Sequence, residues 1–157
     1  MKSILRKALF ALSLLVVFYS CSKDESISKD EITAADMVEI KAAVTTGEWI
    51  VTYYFDSDMD DTDDYVGYTF TFNADGTLGA TNGNISVSGA WSMTTSDNGN
   101  DDSSDDDIDF NIFFASPDIF MELSEDWDIL KFANNKIELM DLSGGNGTTD
   151  YLTFEKK

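Results

Sequence analysis

The chain has 157 residues, a formal net charge of −20 and no histidine, and its only arginine is Arg6. A surface this acidic repels nucleic acid, whose binders need lysine and arginine to neutralise phosphates. Without histidine there is no imidazole base or ligand, and beyond Arg6 there is no planar guanidinium fork for carboxylate or phosphate.

Lys2, Arg6 and Lys7 open the chain, Ala8 to Tyr19 is an almost unbroken apolar run, and Ser22 to Glu25 turns abruptly polar. That is the layout of a secretory signal over residues 1–20, with an apolar core too short to span a bilayer. The lone cysteine, Cys21, stands at the junction. The segment Val17-Phe18-Tyr19-Ser20-Cys21 resembles the lipobox of bacterial lipoproteins. The resemblance implies that Cys21 becomes the acylated first residue of an exported protein anchored to the outer membrane or cell surface, with several acyl chains giving stable anchoring. Removal of residues 1–20 leaves 137 residues, a net charge of −23 and no arginine. That length suits one domain with a proper core.

Residues 21–30 read as a flexible, polar, acylated tether. Over 31–46, Thr33 offers an N-cap with Asp36 as its capping partner, and Met37, Ile40, Lys41 and Val44 recur at helical spacing before Gly47. One short helix is expected there. From residue 47 the period changes to two. Trp49, Val51, Tyr53 and Phe55 form one expected inward row, and Tyr68, Phe70 and Phe72 form another. Asn73-Ala74-Asp75-Gly76 is a hairpin turn. Leu78 and Ala80, then Ile85 to Met93 around Trp91, then Ile108 to Phe114 around Phe110 continue the alternation. Ser116 to Leu123 reads as a loop with one helical turn after Pro117. Trp127 to Phe132 and Lys136 to Leu142 flank an Asn134-Asn135 turn, and Leu152 and Phe154 mark a last strand. No helix of crossover length separates the strands, so the sheet is antiparallel. Outward Ser, Thr, Asp and Asn argue against a membrane-spanning barrel. The pattern predicts an all-β, eight-stranded antiparallel up-and-down barrel over 47–157, preceded by one short helix.

Gly47-Glu48-Trp49 opens the first strand as the G-x-W motif opens the lipocalin barrel. With Tyr68 to Thr77, Gly89-Ala90-Trp91 and the terminal Leu152-Thr153-Phe154-Glu155, the chain is similar to the lipocalin-like domains of small Bacteroidota lipoproteins. The resemblance implies a structural role for Gly47 and for Trp49, which would close one end of the barrel.

The inward aromatics offer two readings. They either line a cavity for a small hydrophobic ligand, with Tyr53, Phe55, Tyr68, Phe70, Trp91 and Phe110 as the binding residues, or they fill the interior, since an eight-stranded barrel is just wide enough to be packed solid. The acids cluster in two runs, Asp56 to Asp64 and Asp97 to Asp107. Asp56, Asp58 and Asp60 match the first three ligand positions of a calcium loop. Asp61 then occupies the glycine position and Gly67 the glutamate position, so the pattern is no EF-hand. Calcium remains the one candidate cofactor. Solvated loops that meet a cationic partner or divalent ions are the other reading. Glu122, Glu125 and Asp126 are the main material for acid–base work and read as exposed acids, so the chain is expected not to be an enzyme.

Overall fold

The computed structural model describes residues 26–29, 32–96, 107–142 and 148–157. The expected signal segment, Cys21 and residues 97–106 of the second acidic run lie outside the described residues.

Along the chain the elements are β1 (Ile27–Ser28), α1 (Met37–Val44), β2 (Trp49–Asp56), β3 (Met59–Asp60), a 3-10 turn (Thr62–Tyr65), β4 (Thr69–Phe72), β5 (Thr77–Thr81), β6 (Ser86–Ser96), β7 (Asp107–Phe113), α2 (Asp118–Met121), β8 (Asp126–Ala133), β9 (Lys136–Leu142) and β10 (Thr149–Lys156). β2 and β4 to β10 pair in sequence order, each antiparallel to the next, and β10 returns to β2. This is a closed eight-stranded meander. Closure leaves no open edge. The β2–β4, β5–β6 and β7–β8 connections and the facing ends of β9 and β10 lie at one end, here the upper end. The helix α1, the β4–β5 and β8–β9 turns, the facing ends of β6 and β7 and the end of β10 lie at the other. The first acidic run therefore sits at the upper end, while Ser96 and Asp107, the strand residues that flank 97–106, lie at the lower.

The core is one cluster of inward side chains. Trp49, Phe70, Leu78, Phe110, Phe120, Leu123, Trp127, Ile137, Leu152 and Phe154 are all fully buried. Burying a large apolar side chain is worth about 1.5–3 kcal/mol, so these residues dominate the stability of the fold. Each tryptophan also donates its indole N–H to a backbone carbonyl of a flanking segment: Trp49 to Val44 at 2.9 Å, Trp91 to Asn73 at 2.9 Å and Trp127 to Leu123 at 3.0 Å. The indoles thus fasten α1, the β4–β5 turn and the α2 segment to the barrel.

Four features differ from the sequence reading. The helix is shorter than 31–46, because residues 34–36 form a turn in which the Asp36 carboxylate accepts from the Thr33 N–H (2.9 Å) and hydroxyl (2.7 Å). The tether is not featureless, for Ile27 and Ser28 pair with Phe132 and Lys131 of β8, beyond the reach of β7. The first acidic run is ordered: β3 folds back on β2, and Thr62 straps the following turn by accepting from the Tyr54 N–H at 2.8 Å. The inward row of β2 changes phase midway. Thr153 pairs with Tyr53 but Phe154 pairs with Val51, so Thr52 is an extra residue, a β-bulge. Trp49 and Val51 face in, Tyr54 faces in after the bulge, and Tyr53 is turned out with 40% of its surface exposed.

Candidate functional site

Three regions bear on function: the interior, the upper end and the outer face of β2, β10 and β9.

Inside the barrel, Tyr68, Phe70, Trp91 and Phe110 are buried among other rings. Phe120 of α2 plugs the upper end and meets Tyr65, Tyr68, Phe70 and Phe114 at centroid distances of 5.0–6.0 Å. From Phe70 the contacts pass to Phe154 (5.2 Å), then Phe72 (5.4 Å), then Trp91 (5.4 Å) and Phe110 (5.5 Å). Most pairs meet edge to face, the arrangement favoured by ring quadrupoles. Ring lies on ring along the barrel axis, where an enclosed ligand would have to sit. Of the six sequence-predicted ligand residues, these four belong to this stack. Tyr53 and Phe55 do not join them; they stand together on the outside, near-parallel at 6.3 Å with an interplanar angle of 13°. The β2 bulge separates the two groups.

At the upper end, the Tyr54 hydroxyl donates to the Glu122 carbonyl at 2.9 Å and the Tyr65 hydroxyl donates to the Ile119 carbonyl. Burial raises both phenol pKa values above the usual range, and the surrounding carboxylates raise them further. The Glu122 carboxyl is pushed up by desolvation and then by Asp61, Asp56, Asp64 and Asp118. The Glu125 carboxyl is pushed up by desolvation and then by Asp141, Asp150, Asp126 and Asp56. Two connections and four strand ends thus bring many like charges to one end of the barrel.

Asp56, Asp58 and Asp60, the sequence's calcium candidates, do not form a ligand shell. Among the described residues no group of three or more His, Cys, Asp or Glu side chains converges so as to hold a metal ion. Asp60 instead accepts from the Thr62 N–H at 3.1 Å, and hydrogen bonds to Thr62 hold its carboxyl below the usual range. The hairpin turns through Ser57, whose φ is +57° and whose N–H donates to Asp150 at 2.7 Å. Of the expected acid–base group, Glu125 feels Asp126 whereas Glu122 feels Asp61, Asp56, Asp64 and Asp118, so each is surrounded by other acids rather than by a positive group that would keep one of them ionised beside a neutral acid.

On the outside, a groove of about 400 Å³ crosses β2, β10, β9 and β8. Tyr53, Tyr151, Thr153 and Leu130 contribute to its lining, with Lys136, Glu138 and Glu155 alongside. Lys136 lies 2.7 Å from Glu138 and 3.5 Å from Glu155, and these partners hold its pKa above the usual lysine value. Sequence reasoning did not find this face. The alternation of β10 does mark Tyr151 and Thr153 as outward. Nothing local reveals that a bulge brings Tyr53 to the same side.

The fold is that of a closed antiparallel barrel whose described interior is packed with aromatic side chains. No family model and no curated protein matches the sequence. Among solved structures, the crystal structure of a DUF4847 family protein from Bacteroides vulgatus is similar, with 17% identity, a TM-score of 0.47, and coverage of 75% of this chain and 97% of that one. A likeness at that level assigns neither a family nor a function.

Proposed function

We propose that this protein is an exported, lipid-anchored and lipocalin-like envelope or surface module, non-catalytic and without a cofactor, that acts through the outside of a filled barrel. The observation that carries the reading is the continuous ring packing from Phe120 to Phe110. It favours a rigid domain with external contacts over a carrier that encloses a small hydrophobic ligand. The signal-like start and Cys21 supply the export and the anchor to the outer membrane. The crowded acids at the upper end favour a cationic partner there, since such a partner relieves the repulsion that lifts Glu122 and Glu125. The same acids repel nucleic acid.

Native mass spectrometry of the full chain purified from expressing cells tests the filled barrel. The expected spectrum contains the protein alone, with any acyl modification covalent. A stoichiometric, non-covalent apolar molecule retained after buffer exchange would overturn the reading and restore the enclosed pocket.

A further inference from the structure

We propose that the outer groove across β2, β10 and β9 binds a neutral saccharide. Its volume of about 400 Å³ lies in the range that takes small-molecule ligands. The register builds it: Tyr53 is directly opposite Thr153, and Tyr151 lies two residues before Thr153 on the same face. Phe55 stacks beside Tyr53 and stiffens that wall. On the far side, the register shift in β8 between Ile129 and Lys131 brings Leu130 to the groove. The two irregularities thus shape opposite borders of one depression.

Thr153 at its floor is the second observation. It faces outward on its strand yet is only 8% exposed, and among the described residues its hydroxyl has no hydrogen-bond partner. No fully buried side-chain polar atom lacks a partner among the described residues, so this hydroxyl is reached from the groove. A nearly buried hydroxyl at the floor of a groove is a polar group held for a ligand, because an unsatisfied one costs stability once it is covered.

Charge selects the ligand class. The net charge of −20 and the carboxylates of Glu138 and Glu155 disfavour an anion. Lys136 already pairs with both carboxylates, so a cation would have to compete with an ammonium seated 2.7 Å from Glu138 and 3.5 Å from Glu155. A purely apolar molecule would cover the Thr153 hydroxyl and the ion pairs without replacing their water. A sugar ring has an apolar face for Tyr53 and Tyr151 and hydroxyls for Thr153 and the Glu138 and Glu155 oxygens. The proposal rests neither on the anchor nor on the acidic end.

Calorimetry with the full chain and neutral glucan, mannan and xylan hexasaccharides tests it, with a uronic-acid oligomer, a glucosamine oligomer and a fatty acid as contrasts. At least one neutral oligosaccharide is expected to bind. Tyr53→Ala should weaken that binding about tenfold, the effect of ~1.4 kcal/mol, with the unfolding midpoint unchanged. Thr153→Val keeps the shape and should weaken it similarly; it serves as the second variant if a tyrosine change disturbs folding. No binding by any neutral oligomer, binding by the charged oligomers or the fatty acid alone, or neutral binding unaffected by both substitutions would overturn the proposal.

Discussion

The indole N–H of Trp49 donates to the carbonyl of Val44, the last residue of α1, across a left-handed turn at Gly47 whose φ is +85°. One hydrogen bond thus joins the helix that covers the lower end to the first barrel strand. Lys156 completes the cover, its ammonium 5.1 Å from the Trp49 ring centroid. The carbonyl is one of the orphan acceptors at a helix C-terminus, so the indole also caps the helix.

Trp49→Ala should therefore destabilise strongly. Truncating a buried tryptophan costs about 3–5 kcal/mol, out of a total of about 5–15 kcal/mol for a domain. Urea unfolding followed by circular dichroism should show a markedly lower midpoint. Trp49→Phe keeps much of the burial but loses the bond to Val44, and should fall between. Native fluorescence should be that of buried indoles, since Trp49, Trp91 and Trp127 are all buried. Emission typical of water-exposed indole, or an unchanged midpoint in Trp49→Ala, would refute the packing role.

Gly89 is a second structural position with a sharp outcome. A Cβ there would run into the Phe113 carbonyl and come within 2.6 Å of the Phe114 ring. Phe114 is held among buried rings and cannot swing away. Gly89→Ala should lower the thermal midpoint by the equivalent of about 1–3 kcal/mol, the usual scale of overpacking. Gly79→Ala on the neighbouring strand meets nothing within 4 Å and serves as the control.

The acids at the upper end make stability depend on pH. The folded pKa values of Glu122 and Glu125 are raised, by desolvation first and by neighbouring acids second. A group raised in this way favours folding below its unfolded pKa, and that contribution is lost as pH rises through the folded value. Glu125→Gln should raise the unfolding midpoint at pH 7 and leave it unchanged near pH 3. A midpoint lowered at pH 7 would mean that the carboxylate has a stabilising partner.

At the alkaline end the tyrosines act with the same sign. Burial raises the pKa of Tyr54 and Tyr65 above the ordinary value of 10.0, so the folded state is favoured up to that pH and loses this contribution above it. Tyrosinate absorbance during alkaline titration should show these two phenols ionising only as the protein unfolds. Tyr54→Phe and Tyr65→Phe should each remove one such late step. Ionisation of all phenols near pH 10 in a still-folded protein would contradict their burial.

Cys21→Ala should abolish incorporation of labelled fatty acid and release the protein from the membrane fraction while leaving its unfolding midpoint unchanged. Label that persists in the mutant would sink the anchoring proposal.

Alternation, turn residues and chain length were enough to read a short helix followed by eight antiparallel strands closing on themselves, because side-chain period and hairpin chemistry are local properties. The lone turn at α2 and the inward rows Tyr68-Phe70-Phe72 and Ile108-Phe110-Ile112 were legible for the same reason. Which way Tyr53 and Tyr54 face was not, because the bulge at Thr52 follows from pairing with β10, about a hundred residues away. Nor does composition say whether the inward rings enclose a space or fill it. That depends on the barrel radius and on Phe120 entering from a loop. The tether's Ile27 and Ser28 pair with β8 only because β7 stops short of Phe132. The groove at Thr153 exists because two bulges and three strand registers meet, and such a meeting is a property of the assembled barrel rather than of any one strand.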